Sequence, residues 1–164
     1  MAEADQEIRN LTFDIFSDEE LDDEKVEKLQ AQADILIDKV SNDPRANLAM
    51  SKLSVFSQTL ADHSTNVANL AVFIGMTCGH SHPLVLQNLY LGGLFHDFGM
   101  TRFDKQVMNK NSQSYTNHPV AGSKLLQKSN KFPDQVITIV SQHHEQYSGG
   151  GFPKGIKGNS IYEL

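Results

Sequence analysis

The sequence predicts an all-α fold. Apolar residues recur at three- and four-residue steps, no stretch shows a convincing period-two alternation, and prolines and glycines punctuate the chain between periodic stretches. No internal repeat interrupts this pattern. At 164 residues the chain is long enough for one domain with a substantial core and short for two. Its 39% hydrophobic and 21% charged residues are the balance of a soluble globular protein. The net charge of −6 argues against a broad face for nucleic acid polymers, which needs clustered Lys and Arg. An anionic substrate would then need a local source of positive charge, and a metal cluster is one. Cys78 is the sole cysteine, so no internal disulfide forms and a reducing compartment is favoured. The start MAEADQEIRN lacks the basic and apolar regions of a signal peptide, and no run reaches about eighteen apolar residues. A cytoplasmic protein without a membrane span is expected.

The elements follow in order. Residues 1–16 give mixed signals, a loosely held helix or an arm. Residues 18–24 carry six acidic side chains around Leu21, ahead of a helix with Ser17 as a candidate cap, where acids favour the positive end of the helix dipole. A solvated helix start explains that run, and an acidic docking site is the alternative. Val26, Leu29, Ala33, Leu36, Ile37 and Val40 form an amphipathic stripe that should pack within the chain and stop near Pro44. A second long helix is expected from Arg45 to Gly75, with the stripe Leu53, Phe56, Leu60, His63, Val67, Leu70 and Ile74 facing the core. Cys78-Gly79-His80-Ser81-His82-Pro83 reads as a connector, since three ligands crowded into five residues is not a usual structural zinc spacing. Pro83 suits the first turn of a helix through Leu84, Leu89 and Leu94, in which Gly92-Gly93 permits close approach of a neighbour before Phe98-Gly99 ends it. Residues 100–116 read as a loop, Asn117-His118-Pro119 as a helix start, and Pro133 to about Glu145 as a last helix. Five glycines and Pro153 make 148–158 a loop.

Four segments carry metal-binding chemistry: His63, His96-Asp97, His118-Pro119 and His143-His144. Neutral imidazole is the commonest transition-metal ligand, and a carboxylate beside it can bridge two ions at roughly 3.5–4 Å, the spacing used in phosphate ester hydrolysis. Taken alone, His63 on an apolar face reads first as a core histidine bonded to a backbone carbonyl. The other segments favour a ligand. Adjacent positions on a helix point about 100° apart, so His143 and His144 are not expected to share one ion easily.

The segments Asp62-His63-Ser64, Gly93-Leu94-Phe95-His96-Asp97-Phe98-Gly99, His118-Pro119-Val120-Ala121-Gly122 and His143-His144-Glu145 through Gly151-Phe152-Pro153, in this order, resemble the HD-GYP domain family. The resemblance runs from about residue 50 to the C-terminus. It implies a multi-helix HD-domain bundle with a metal site in its core, two iron or manganese ions, and bacterial signalling through hydrolysis of cyclic di-GMP by a metal-bridging hydroxide. Carried over, it implies metal ligation by His63, His96, Asp97, His118, His143 and His144, with Asp97 as the bridging catalytic carboxylate and Gly151, Phe152 and Pro153 against the substrate. Some relatives bind a third ion through a glutamate where this chain has Thr59, which favours two.

The chain departs from the family at informative places. Met100 stands where a lysine is usual, and a thioether carries no charge and donates no hydrogen bond. Phe152 replaces the signature tyrosine, keeping the ring without the hydroxyl. The chain ends at Leu164 before the family's later metal-binding aspartate is reached, so either it is a fragment or one ion lacks a ligand; the reading is an N-terminal helical region over 1–45 and an HD-GYP-like domain over 46–164 that stops before its last helices. Two functions follow. The first is a divergent cyclic di-GMP phosphodiesterase, with hydrolysis of another phosphorylated small molecule as a variant of it. The second is a metal-containing module that binds the nucleotide with little or no turnover. A signalling protein partner or a homodimer stays open.

Overall fold

The computed structural model describes residues 2–50, 52–53, 56–103 and 112–163. These are helical and contain no strand, and none of their helices is long and apolar enough to cross a membrane. The chain divides into two compact units, Met1–Leu94 and Phe95–Leu164.

The first unit holds α1 (Ala2–Ser17), α2 (Asp23–Asn42), α3 (Pro44–Met50), α4 (Leu60–Thr77) and nearly all of α5 (Pro83–Phe95). All six residues of the α2 stripe are buried, as its periodicity requires. Its cap is Asp22 rather than Ser17: the Asp22 carboxylate accepts from the N–H groups of Glu24 and Lys25, while the Ser17 hydroxyl donates back to the Phe13 carbonyl. The acids of this run therefore serve the helix start, by capping and by favourable placement at the positive end of the dipole.

Residues 2–16 form a packed helix rather than a loose arm. Along α1, Ile8 and Ile15 are fully buried, and beside them the buried Asp5 and Arg9 anchor a polar network. Arg9 Nε donates to Asp5 Oδ2 at 2.8 Å, and its terminal nitrogens donate to the carbonyls of Asp62 and Leu53 and to Asn66 Oδ1 at 3.2, 3.0 and 2.9 Å. The second oxygen of Asp5 accepts from Asn69 at 2.7 Å. The planar guanidinium thus spends its fixed donor fork on three separate stretches of chain, and ties α1 to the start of α4.

The expected helix from Arg45 to Gly75 is two helices, α3 and α4, and the expected stripe is not the buried face. Phe56, Leu70 and Ile74 are exposed, as is His63, while Ala61, Ser64, Thr65, Ala68, Asn69, Val72 and Gly75 are buried. Small residues won because the neighbours come close: a Cβ on Gly93 of α5 would lie 2.9 Å from the Ala68 Cα. Asn69 is drawn inward by its bond to Asp5. Thr59 starts α4 with a capping box, its hydroxyl accepting from the Asp62 N–H while the Asp62 carboxylate accepts from the Thr59 N–H. In the connector before α5, His82 Nδ1 accepts from the Leu84 N–H.

The second unit holds a 3₁₀ turn (Phe98–Arg102), α6 (Gln113–Ser129), α7 (Asp134–Gln142) and a short 3₁₀ turn (Gly158–Ser160). Phe95 anchors it, packing edge-on against Phe98 and Phe132 at ring separations of 5.7 and 4.9 Å. α6 starts four residues before Asn117, capped by Ser112, so Pro119 lies inside the helix and not at its first turn. Part of the expected loop over 100–116 (residues 104–111) lies outside the described residues.

Replacing Arg9 by Ala should leave the Asp5 carboxylate buried without its cation and cost about 3–5 kcal/mol, read from urea unfolding. The paired exchange Asp5→Leu with Arg9→Met should recover most of that loss; a single-variant loss under about 1 kcal/mol would contradict this account of α1.

Candidate metal centre

Asp97 lies two residues past the end of α5 and begins the turn into Phe98–Arg102. Its backbone sits at φ −98°, ψ 6°, in the sparsely allowed bridge region, and its carbonyl accepts from the Met100 N–H at 2.8 Å. The turn then abuts α6 through backbone alone: a Cβ on Gly99 would lie 2.0 Å from the His118 carbonyl oxygen and 2.6 Å from the Gly122 nitrogen. No side chain larger than hydrogen fits, and this close joint carries Asp97 to His118.

The second unit gathers five of the six expected ligands around the Asp97 carboxylate. His118 Nε2 lies 3.1 Å and His143 Nε2 3.5 Å from Oδ1, and His96 Nε2 lies 3.1 Å from Oδ2. Asp97, His118, His143 and His144 offer ligand atoms that all fall within 4.8 Å of one another, and Asp97 and His118 are buried. The sixth, His63, belongs to the first unit, exposed on the first turn of α4. The expectation that His143 and His144 diverge by a helical step does not apply, because α7 ends at Gln142. Past that end the two rings converge, with centroids 4.3 Å apart.

The protons of this cluster can be placed. His118 Nδ1 contacts the Tyr115 carbonyl, and His143 Nδ1 contacts the Val140 carbonyl at 2.8 Å. A carbonyl oxygen only accepts, so both Nδ1 atoms carry hydrogen and both Nε2 atoms, when the rings are neutral, present lone pairs. Those lone pairs face one another at 3.0 Å and face the carboxylate as well. Such an arrangement calls for a cation between them. Burial lowers the pKa of His143, which disfavours a proton in that role. Burial pushes the Asp97 carboxyl up; donation from the Nε2 atoms of His118, His143 and His96 would outweigh that and hold it well below the usual carboxylate range, but with neutral Nδ1–H rings that stabilising role falls to a cation. An ionised carboxylate ringed by inward-facing imidazole lone pairs fits a divalent transition metal.

Two aromatic side chains line this cluster. Phe152 stacks on the His144 ring at 4.4 Å and 24°, and its N–H donates to the His144 carbonyl at 3.2 Å. Tyr115, which the sequence reading passed over, sets its ring 5.3 to 5.8 Å from those of His118, His144 and Phe152. Gly151 is demanded by packing, since a Cβ there would lie 2.4 Å from both the His144 carbonyl oxygen and the Gln146 nitrogen. The Phe152–Pro153 peptide is cis.

Comparison with known proteins bears on this cluster directly. The HD domain family matches residues 43–163, which include all six expected ligands. The chain belongs to the HD domain family. It is 26% identical over 142 residues, 80% of its length, to the cyclic di-GMP phosphodiesterase PA4108 of Pseudomonas aeruginosa, covering 34% of that protein. It is 29% identical over 113 residues, 64% of its length, to the 3'3'-cGAMP-specific phosphodiesterase 1 of Vibrio cholerae, covering 26% of it. The chain therefore spans about a third or less of these curated relatives. Among solved structures, Bd1817, an HDG"Y"P protein from Bdellovibrio bacteriovorus, superposes with a TM-score of 0.78 at 23% identity, over 97% of this chain and 54% of that one. The HD-GYP resemblance read from the motifs is upheld by these matches, and the fold is that of Bd1817.

In the metal-free HD domain, the His144 imidazole should titrate near 4, lowered from 6.5 first by burial and then by the neighbouring rings of His143 and His118. Because its folded value is depressed, the neutral ring favours the folded state above pH 6.5, and that contribution is lost as pH falls from 6.5 towards 4. Imidazole NMR shifts against pH read this directly; a midpoint at 6.5 or higher would mean the ring stands in water.

Proposed function

We propose that this chain is the metal-dependent phosphodiesterase part of a bacterial signalling protein and hydrolyses a cyclic dinucleotide, cyclic di-GMP first and a related nucleotide such as 3'3'-cGAMP second. The observation that carries the proposal is the ionised, buried Asp97 carboxylate set among His96, His118, His143 and His144. The activities of the two phosphodiesterase relatives support the substrate class. His63 is proposed as the sixth ligand from its place in the motif pattern, and two iron or manganese ions as the complement. Bound there, such ions would supply an activated water for in-line attack on phosphorus and neutralise charge on the transition state.

The chain's own residues have separable tasks under this reading. Asp97 would supply a negative charge between the ions the site would hold. The Nδ1–H bonds of His118 and His143 aim their Nε2 atoms at it. Phe152, stacked on His144, offers an aromatic face beside the centre that suits a nucleobase, and Gly151 and Pro153 flank it as substrate contacts.

A second reading, a metal-containing module that binds the nucleotide with little turnover, is favoured by Met100 and Phe152. Both put an apolar side chain where the family presents a polar group.

Purified protein should contain iron or manganese by elemental analysis and hydrolyse cyclic di-GMP when either metal is added; nucleotide bound but uncleaved would select the binding module. Asp97→Ala should remove bound metal, and unchanged metal content would refute the bridging assignment. If the two apolar replacements limit turnover, Met100→Lys with Phe152→Tyr should raise kcat by about tenfold or more, within the range a positioned polar group contributes. An unchanged rate would clear those positions.

A further inference from the structure

Pro119 lies well inside α6, six residues past its first residue, and the helix runs on to Ser129. A proline there is costly, since it has no N–H to give to the carbonyl four residues back and its ring crowds that same carbonyl. Here that carbonyl belongs to Tyr115, the group against which His118 places Nδ1. In an uninterrupted helix the Tyr115 carbonyl would bond to the N–H of residue 119, in competition with the imidazole. Proline removes the competitor.

His143 reaches the same state by another device. Its Nδ1 lies 2.8 Å from the Val140 carbonyl, also three residues back, and α7 ends at Gln142 before the next backbone N–H can claim that oxygen. Both rings present Nε2 lone pairs to Asp97 as a result. One ligand sits at a helix end, where the carbonyl is left over; the other sits mid-helix, where only a missing N–H leaves it over.

We propose that Pro119 is a positioning residue that fixes the tautomer and aim of His118 by reserving the Tyr115 carbonyl for its Nδ1–H. The metal part of this inference rests on the proposed function; the tautomer part does not. A proline kept only for stability would cost stability when replaced, whereas alanine, the better helix former that restores a backbone bond, should here hold or raise it while the ligand ring is lost from its aim.

The test compares Pro119→Ala, in the full chain, with the same position carrying lactic acid, which matches alanine in shape but lacks the N–H. Nitrogen-15 spectra of histidine in the metal-free protein report the tautomer, and paramagnetic resonance reports manganese(II) affinity. Pro119→Ala should shift His118 away from the Nδ1–H form and weaken manganese binding about tenfold or more, as loss of a ligand's outer partner does, while its thermal midpoint holds or rises. The lactic acid variant should keep the wild-type tautomer and affinity. An alanine variant with both unchanged overturns the proposal, and so would equal losses in the two variants, which would point to the pyrrolidine ring instead. If Pro119→Ala does not fold, Pro119→Gly introduces the same N–H and is read in the same way. Wild-type protein that binds no manganese while the tautomer responds as expected would sink the metal reading and leave the positioning role standing.

Discussion

A buried negative charge organises the second unit. Asp97 is 6% exposed, and a carboxylate taken out of water at that depth is tolerable only if partners converge on it. Three imidazoles do so, from the turn after α5, from the interior of α6 and from the end of α7. Each of these elements has a local feature whose effect is to deliver a ring: the glycine joint at Gly99 and Gly122, Pro119, and the early end of α7. Without a central cation the convergence would set lone pair against lone pair. A metal bound there would complete the geometry, and its binding would also contribute folding energy to this unit.

A similar arrangement recurs in the first unit with a different outcome. Asp5 is as deeply buried as Asp97, but its partner is a guanidinium, which brings its own positive charge. The Arg9 fork saturates the carboxylate and three neighbouring acceptors at once, so that site is closed. One buried aspartate is a structural tie and the other a candidate reaction centre. The difference lies in whether the partners arrive as cations or as neutral lone-pair donors.

Much of this was legible from residues alone. The α2 stripe could be read because large apolar residues on a three-four period leave one buried face. The convergence of His96, His118, His143 and His144 on Asp97 could be read because His and Asp in four ordered motifs have few other shared purposes. α4 misled for a physical reason: apart from Val72, its buried face consists of Ala, Ser, Thr, Asn and Gly, suited to close approach and hydrogen bonding, while Leu70 and Ile74 point outward. Hydrophobic periodicity cannot detect a face of that kind. The grip on residues 1–16 was hidden because it depends on Arg9 meeting carbonyls some fifty positions later in the chain. His143 and His144 lie closer together than a helical step allows because α7 stops at Gln142, before either of them. The role of Tyr115 did leave a trace, since a proline four residues on always exposes a carbonyl.

The contact between Gly99 and α6 has a wider consequence. Where two segments meet through side chains, each substitution alters their separation, and a site resting on that joint must be retuned as the sequence drifts. Here the spacer is the peptide backbone itself, whose dimensions no mutation changes. The distance from Asp97 to His118 is thereby insulated from the identity of nearly every surrounding residue. A chain built this way can exchange the residues that select and process a ligand while the span between two of its key donors stays constant.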